Sequence, residues 1–397
     1  MRLSWFAMAD KGFSRWPCYA SDEIAAVSRV LRSGRVNYWT GEEGHAFEQE
    51  FAAYHGARYG VAVANGTVAL ELALYALGIG PGDEVVVTAR TFLASVSCIV
   101  NAGARPVFAD VDRTSGNITA ETVRAVLTHR TRAIMAVHLS GWPCDMDGLM
   151  HIAESHGLYV IEDCAQAHGA SWDGRMVGSF GHAAAFSFCT DKIMSTGGEG
   201  GMLLFQDEAA RRRAWSFKDH GKDWDAVYNK KHPPGFRWLH SSFGTNWRLT
   251  EMQAAIGRTQ LAKLPGWIRK RRENAACLME GLSEIPGIRV PVPGEKANPA
   301  WYKFYVYIEP GTLRSSWSRD RVMQTISEKG IPCMQGICPE VYLEKAFDGS
   351  GFRPSERLPV AREMGETSLM LLVHPTLGAK EMAEMVQIFA EVMGQAV

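Results

Sequence analysis

Short apolar, β-branched runs alternate with helix-like segments between residues 59 and 205 of this 397-residue chain. Turns rich in polar residues and glycine bound each run, which is the pattern of buried strands. Strands that alternate with helices lie parallel and are joined by right-handed crossovers. The pattern therefore predicts an α/β fold with a mainly parallel sheet flanked by helices. The predicted strands cover residues 59–64, 84–88, 106–109, 133–137, 159–161, 183–188 and 202–205.

The length of the chain predicts two domains. Pro265-Gly266 interrupts a helical pattern that begins near residue 249, and we expect the helix to break there. We therefore predict a large α/β domain over residues 1–264, with an N-terminal arm, and a small α+β domain over residues 265–397. The predicted elements of the small domain are a strand over 302–308 and helices over 320–329, 360–367 and beyond 378.

The charge balance argues against a nucleic-acid or membrane partner, because 42 basic and 43 acidic residues leave a net charge of −1. No apolar run approaches the roughly 18 residues of a membrane span, and the N-terminus lacks a signal-peptide pattern. The eight cysteines form no CxxC pair and the twelve histidines show no ligand spacing. We therefore expect no metal, free thiols and a cytoplasmic location.

An acid and a lysine follow two of the predicted strands. Asp163 stands at the end of the strand near 159–161, and Lys192 follows the strand over 183–188. Ligands of open parallel sheets bind at the carboxyl ends of the strands. The glycine-rich segment 197–201 comes next, and glycines allow a close approach of the backbone to a ligand. The stretch therefore predicts a ligand site.

Pyridoxal phosphate (PLP) chemistry needs this pairing of residues. A lysine amine forms a Schiff base with the cofactor aldehyde, and an aspartate keeps the pyridine nitrogen protonated. Taken singly, Lys192 could be a solvated surface group and Asp163 a cap or an ion-pair partner. Their spacing and the glycine segment favour the catalytic interpretation, although these residues alone do not identify the cofactor.

A candidate anion site lies at Asn65-Gly66-Thr67, between the strand over 59–64 and a helix predicted over 68–77. The N–H groups and dipole of a helix N-terminus attract phosphate. Taken in isolation, these three residues are better explained by an ordinary strand–helix turn with Asn65 or Thr67 as the cap.

Motifs in a fixed order carry a resemblance that extends from about Glu23 to about Pro375. They are Glu162-Asp163-x-Ala165-Gln166-x-x-Gly169, Phe186-Ser187-Phe188-x-x-x-Lys192 and Gly198-Glu199-Gly200-Gly201. In these the chain resembles the DegT/DnrJ/EryC1/StrS family of PLP-dependent sugar aminotransferases, which belong to the aspartate aminotransferase superfamily of fold type I.

The resemblance implies a role for each matched residue. Lys192 would hold PLP and carry protons, and the cofactor would pass through its pyridoxamine form, PMP, between two half-reactions. Asp163 would contact the pyridine nitrogen, Gln166 the 3′-oxygen and Phe92 the ring face. The implied phosphate contacts are Gly66, Thr67, Ser187 and Asn246.

The segment Gly244-Thr245-Asn246-Trp247-Arg248 resembles the family motif Gly-x-Asn-Tyr-Arg, with tryptophan in place of tyrosine. In the family this asparagine reaches the cofactor phosphate of the neighbouring subunit. The resemblance therefore implies a homodimer whose active sites are shared between the subunits.

The implied reaction moves an amino group from an amino acid, expected to be L-glutamate, to a keto sugar that is nucleotide-linked. Tyr38, Trp39, His220 and Lys222 are candidate substrate contacts, and packing or surface roles remain open for all four. A cyclitol or another keto acceptor, and a non-catalytic regulatory role, remain as alternatives. Related dehydratases carry histidine at the lysine position, so Lys192 argues against that activity.

Overall fold

The structure is a computed structural model that describes residues 13–231 and 237–397. Residues 1–12 of the predicted N-terminal arm lie outside the described residues, as do residues 232–236 of the long loop that carries His220 and Asn246. None of the helices in the described ranges has the length and apolar character needed to cross a bilayer.

The described chain forms fourteen strands and twelve α-helices. The strands are β1 (Tyr59–Val63), β2 (Glu84–Thr88), β3 (Arg105–Ala109), β4 (Thr131–Val137), β5 (Tyr159–Asp163), β6 (Ser171–Trp172), β7 (Arg175–Met176), β8 (Ala183–Ser187), β9 (Gly201–Phe205), β10 (Ile288–Arg289), β11 (Ala297–Asn298), β12 (Phe304–Ile308), β13 (Cys333–Met334) and β14 (Ser368–Leu371). The helices are α1 (Ser21–Ser33), α2 (Glu43–His55), α3 (Gly66–Ala76), α4 (Ala94–Asn101), α5 (Ala120–Arg124), α6 (Met146–His156), α7 (Glu208–Lys218), α8 (Trp224–Tyr228), α9 (Glu251–Ser283), α10 (Arg319–Glu328), α11 (Pro359–Thr367) and α12 (Ala379–Ala396).

The central sheet has seven strands in the order β1-β9-β8-β5-β4-β2-β3. Only β9 runs antiparallel to its neighbours among these strands; every other pair is parallel. Strands β2, β8 and β9 are buried along their whole length, which explains their continuous apolar runs. The predicted α/β fold with a mainly parallel sheet is confirmed.

The topology brings three functional segments to one edge of this sheet. Strands β5 and β8 are parallel neighbours, with Asp163 opposite Ala185, so Asp163 and Ser187 end at the same edge. Strand β1 runs in the same direction as β8, because both are antiparallel to β9, and α3 begins three residues after it. The N-terminus of α3 therefore faces the carboxyl ends of β5 and β8.

A second sheet, in the order β10-β12-β14-β13, is antiparallel throughout. Its core includes Val322 and Ile326 of α10 and the apolar stripe of α12, in which Met382, Met385 and Phe389 are fully buried. The predicted strand over 302–308 and the predicted closing helix correspond to β12 and α12. Strands β10, β13 and β14 were not predicted; two of them have only two residues, too few to show a periodic pattern.

The predicted helix break at Pro265-Gly266 is wrong, because the 33-residue helix α9 runs without interruption through Pro265. Proline inside a helix removes one hydrogen bond and costs about 3 kcal/mol. Buried side chains on both sides of the proline, including Leu261, Leu264 and Ile268, offset that cost by packing into one core. The predicted domain boundary after residue 264 falls inside this helix and stays a prediction.

Candidate active site

One cavity of about 640 Å³ opens at the carboxyl edge of the central sheet. It brings together residues from β5, β8, α3 and the turn before α4, together with the start of β12 in the second sheet. The predicted residues that line it are Lys192, Gly66, Thr67, Phe92, Asp163, Gln166 and Ser187.

Asp163 is held by two donors at the floor of the cavity, where 6% of the residue is exposed. The Ser95 hydroxyl donates to Asp163 Oδ2 at 2.7 Å, and the Ala165 N–H donates to Oδ1 at 3.1 Å. Thr91 Oγ1 lies 2.8 Å from Ser95 Oγ. Because the Ser95 proton is committed to Asp163, Thr91 must donate to Ser95. This chain fixes the carboxylate and leaves lone pairs for a ligand in the cavity.

The adjacent acid, Glu162, points to the opposite side of the sheet and is fully buried. Its oxygens accept from the N–H groups of Gly178, Phe180 and Gly181 and lie 3.1 Å from His138 Nε2. Burial opposes ionisation, but the His138 contact and the backbone donors hold the pKa of Glu162 below its ordinary value. Glu162 is therefore a structural acid behind the floor of the cavity.

His138, Glu162 and Cys164 lie close enough together to resemble a metal-binding group. The Cys144 N–H donates to His138 Nδ1 at 3.0 Å, so the ring proton must sit on Nε2 and point at Glu162. Burial raises the pKa of the Cys164 thiol well above its usual range. The ligand atoms of this cluster are thus occupied or protonated, and the cluster suits packing better than metal binding.

The N-terminus of α3 forms the opposite wall of the cavity. Asn65 caps the helix by accepting from the Val68 N–H at 3.0 Å. The N–H groups of Gly66 and Thr67, at the first helical positions, have no acceptor within the helix. A Cβ on Gly66 would lie 2.7 Å from Ser187 Cβ, so glycine is needed for this close approach. The wall therefore offers backbone donors and the Ser187 hydroxyl to an anion.

Gln166 has its side-chain orientation fixed by the backbone. The Ser140 N–H donates to Gln166 Oε1 at 2.7 Å, and only the carbonyl end of the amide can accept it. The amide NH₂ group is therefore left to donate to an oxygen acceptor in the cavity. This is the chemistry that the predicted contact with a ring oxygen requires.

Lys192 follows β8 in a tight turn and is partly buried. Its Nζ lies 5.1 Å from the centre of the Tyr302 ring, and its carbonyl accepts from Trp16 Nε1 at 2.8 Å. The Tyr302 hydroxyl donates to Asp191. Burial opposes ionisation of Asp191, but Lys192, Tyr302 and Lys303 hold the pKa of its carboxyl below the ordinary value. The Lys192 side chain thus lies near an anion, Asp191, and beside an aromatic ring.

Phe92 and the glycine-rich segment complete the walls. Phe92 is 64% exposed although it lines the cavity, so its ring face is open to a ligand. Gly198 adopts φ +126, a conformation that residues with a Cβ avoid, and a Cβ on Gly200 would lie 2.1 Å from Thr196 Oγ1. The glycines therefore fold this segment tightly beside Lys192, while Glu199 within it faces the cavity.

The other predicted residues do not line this cavity within one chain. Trp39 Nε1 and Lys222 Nζ both bind the fully buried Asp219 carboxylate, each at 2.7 Å. Asn246 pairs with Asp219 through a β-bridge, and His220 is the next residue in the chain. We call these five residues, with Arg248, whose Nη1 lies 2.6 Å from Asp219 Oδ1, the Asp219 cluster.

Tyr38 is buried near the Asp219 cluster, with 1% exposed. Its hydroxyl donates to Glu48 at 3.1 Å, and its ring lies 4.2 Å from Lys218 Nζ. Burial raises the pKa of the Tyr38 hydroxyl well above its usual range. These contacts correspond to the packing role that remained open for Tyr38.

Several residues of the cavity were not predicted. Ser95 lies on α4 one turn after Thr91, and its polar side chain within an apolar helix was the available signal. Tyr302, Lys303 and Tyr305 enter from the start of β12, more than a hundred residues from Lys192. Nothing in their local sequence pattern links them to the cavity.

The sequence and the fold of this chain are similar to those of known proteins. A model described as the DegT/DnrJ/EryC1/StrS aminotransferase family matches residues 17–390. The X-ray structure of the aminotransferase from Psychrobacter cryohalolentis is 55% identical and superposes with a TM-score of 0.95, covering 96% of this chain and 99% of that chain.

Two further relatives have names that describe different roles, a transaminase and a regulatory protein. The chain is 37% identical over 375 residues to the dTDP-3-amino-3,4,6-trideoxy-alpha-D-glucose transaminase of Streptomyces venezuelae, covering 94% of this chain and 93% of that protein. It is 35% identical over 368 residues to the "Pleiotropic regulatory protein" of Geobacillus stearothermophilus, covering 93% of each. The match to the family model spans nearly all of the chain and includes every residue of the cavity. The chain therefore belongs to the DegT/DnrJ/EryC1/StrS aminotransferase family.

Proposed function

We propose that this protein is a PLP-dependent aminotransferase that moves an amino group from L-glutamate to a nucleotide-linked keto sugar. The observation that carries the proposal is the common cavity of Lys192, Asp163 and the N-terminus of α3. These supply an amine, an anchored carboxylate and an anion site, which are the three groups that PLP requires.

The chemistry of the donor set fits this cofactor. Gly66, Thr67 and Ser187 would hold its phosphate, Asp163 its ring nitrogen and Gln166 its 3′-oxygen. The exposed ring of Phe92 would cover one face of the cofactor. When bound, PLP supplies an electron-accepting ring that stabilises negative charge on the α-carbon of the donor.

The residues of the chain supply the remaining steps. Lys192 Nζ would take a proton from the α-carbon of the donor and return a proton to the substrate in the second half-reaction. Asp163, held by Ser95 and Ala165, would keep the ring nitrogen protonated. Glu162 and His138, which lie behind Asp163, would keep the end of β5 rigid.

We also propose a homodimer in which the Asp219 cluster completes the cavity of the partner subunit. Its members do not line the cavity of their own chain, yet Trp39, Lys222 and Asn246 are held rigidly around one buried carboxylate. Trp238 and Phe243, in the same loop, are 92% and 97% exposed, which suits burial against a second copy. Asn246 would reach the phosphate of the partner's cofactor, while Trp39, His220 and Lys222 would contact its substrate.

The nucleotide-linked acceptor is supported by similarity to the Streptomyces venezuelae transaminase, whose name specifies a dTDP-linked sugar. A non-catalytic role, as the name of the Geobacillus relative suggests for that protein, is disfavoured because each cavity residue is chemically competent. The eight cysteines are all free thiols, which suits a reducing cytoplasm.

Borohydride reduction followed by peptide mass mapping tests the proposal, since it fixes the cofactor to the lysine that carries it. We expect the label on the peptide that contains Lys192 and its absence from Lys192→Ala. A label on Lys303, the other lysine that lines the cavity, would contradict the assignment. No labelled lysine after incubation with PLP would contradict the proposed cofactor.

Mixed dimers test the shared site. Lys192→Ala and Asn246→Ala subunits, each inactive alone, should regain activity together, because one of the two sites then has both residues. Lys192→Ala mixed with Asp163→Ala is the control, since both residues come from the same chain and no site is repaired. Equal activities of the two mixtures would contradict an active site shared between subunits.

A further inference from the structure

The charges in the cavity are unevenly distributed. Among the described residues that line it, two carry a positive charge, Lys192 and Lys303. The acidic residues that line it are Glu71, Asp163, Asp191 and Glu199. An anionic amino acid that enters the cavity therefore finds two ammonium groups to bind within this chain, and Lys192 is already assigned to the amino-transfer chemistry.

Lys303 is placed in the cavity by the turn that also orients Gln166. The Ser140 hydroxyl donates to the Lys303 carbonyl at 2.7 Å, and the Tyr302 N–H donates to the Ser140 carbonyl at 2.9 Å. Ser140 adopts φ 61, an uncommon conformation for a residue with a side chain. The backbone that carries Lys303 is thus fixed to the large sheet by both groups of Ser140.

The two lysines lie beside the same aromatic ring. Lys303 Nζ is 4.7 Å and Lys192 Nζ is 5.1 Å from the centre of the Tyr302 ring. An amino acid donor carries its α-amino and α-carboxylate groups on the same carbon. It therefore needs a group that reacts with the amine and, next to it, a positively charged group that binds the carboxylate. Lys192 and Lys303 place two ammonium groups beside one ring, so the second can bind a carboxylate while the first reacts with the amine.

We propose that Lys303 binds the α-carboxylate of the amino donor, and this inference rests on the proposed function. A carboxylate that leaves water for a buried site needs a charged or hydrogen-bonding partner. Lys303 is 6% exposed and lines the cavity, so its ammonium can meet the carboxylate where little solvent competes.

The electrostatic surroundings of Lys303 favour such a ligand. Burial lowers the pKa of the Lys303 ammonium to about 7; Asp191 opposes the shift, and Arg271 and Lys192 add to it. A carboxylate bound at Lys303 would stabilise the protonated form, so donor binding and proton uptake would be coupled. An amino acid would then bind best where Lys303 is already protonated.

Calorimetric titration of the holoenzyme with glutarate, which has the two carboxylates of glutamate but no amine, tests the binding directly. We expect Lys303→Met to raise the Kd at least about tenfold, the effect of losing one charge-assisted hydrogen bond. Lys303→Arg should recover most of the affinity. Lys329→Met, a surface lysine that pairs with Glu391, is the matched control and should bind like the wild type.

A comparison of two amino donors shows whether the effect of Lys303 depends on the α-carboxylate. 4-Aminobutyrate is L-glutamate without its α-carboxylate. In single-turnover amino transfer, Lys303→Met should lower kcat/KM for L-glutamate at least about tenfold. The same variant should change kcat/KM for 4-aminobutyrate by less than about twofold from the wild-type value. An equal loss with both donors, or an unchanged Kd for glutarate, would overturn the assignment.

The acceptor half-reaction provides the last discriminating result. If Lys303→Met weakened the keto-sugar half-reaction and left the glutamate half-reaction intact, Lys303 would bind the acceptor and the inference would be wrong. A wild-type holoenzyme that accepts no amine from either donor would instead refute the proposed function. The glutarate titration would still measure carboxylate binding at Lys303 in that case.

Discussion

The Ser95 hydroxyl donates a hydrogen bond to Asp163, with 2.7 Å between Oγ and Oδ2. Ser95 lies in the first turn of α4 and Asp163 is the last residue of β5, so this bond connects a helix to the strand end that forms the floor of the cavity. Thr91 supports it from the preceding turn. The carboxylate that we assign to the cofactor is therefore oriented before any ligand binds.

Ser95→Ala should weaken PLP binding and slow amino transfer, because Asp163 loses its hydroxyl donor. A hydrogen bond to a charged group contributes about 1.5–3 kcal/mol, so we expect an effect of roughly tenfold to a hundredfold. Ser97→Ala is the matched control, since the Ser97 hydroxyl donates to the Ala94 carbonyl of the same helix, at 3.5 Å. Fluorescence titration with PLP measures the affinity. Equal affinities in the two variants would refute the positioning role of Ser95.

Gly66→Ala should lower both stability and PLP affinity, because its Cβ would lie 2.7 Å from Ser187 Cβ. Overpacking of this kind costs about 1–3 kcal/mol and would push the helix N-terminus away from Ser187. Gly394→Ala, in α12, places its new Cβ more than 4 Å from the other described side chains and should be neutral or stabilising by up to about 1 kcal/mol. Urea unfolding with and without PLP checks both variants. A stable Gly66→Ala protein that binds PLP like the wild type would contradict the close packing.

Glu162→Gln should destabilise the protein by about 3 kcal/mol at pH 7, since an amide NH₂ cannot accept the hydrogen bonds that the carboxylate receives. Exposed Glu363, which pairs with Arg113, is the control, and Glu363→Gln should cost less than about 1 kcal/mol. Urea unfolding provides both values.

The pH dependence of the Glu162 effect follows from its pKa, which is lowered from 4.5 in the folded protein. The unfolded state then binds more protons in acid, so the stabilisation is fully present above pH 4.5. It is lost as the pH falls through the folded pKa. The difference between wild type and Glu162→Gln should therefore stay constant near neutrality and shrink in acid. A difference that grew as the pH fell would contradict this sign.

The KM for L-glutamate should rise as the pH increases through about 7, the value to which burial lowers the pKa of the Lys303 ammonium. Below that pH the ammonium is charged and able to bind a carboxylate. In Lys303→Met this rise in KM should disappear, because the side chain at this position can no longer be protonated. Initial rates at saturating acceptor over a pH series measure the effect. The same rise in Lys303→Met would assign it to another group.

Much of the fold and part of the candidate site followed from local patterns. The apolar runs predict the strands, and the strand ends then place Asp163 and Lys192 at one edge, whereas Ser187, Gln166 and Phe92 were predicted only from the family resemblance. Lys303 could not be predicted in this way, because it reaches the cavity only through contacts of Ser140 with a segment about 160 residues later in the chain. Such pairings depend on tertiary packing and leave no periodic signal.

The error at Pro265 has a similar origin. A proline in a helical pattern predicts a break from local energetics alone, whereas buried residues on both sides hold α9 together. Tyr38 and Trp39 illustrate a further limit: their loop predicted a place near the substrate, but the contacts with Glu48 and Asp219 place them outside the cavity of their own chain. The role that we propose for Trp39 in the partner's cavity depends on a second subunit, which local sequence patterns do not position.

The central claim is that Lys192 carries PLP and exchanges an amino group with an amino acid. A visible spectrum of the purified protein, before and after excess L-glutamate, tests it most directly. We predict a band above about 400 nm that glutamate replaces with one near roughly 330 nm, and no such band in Lys192→Ala. Absence of the band in wild type after PLP is added, or its persistence in Lys192→Ala, would contradict the account.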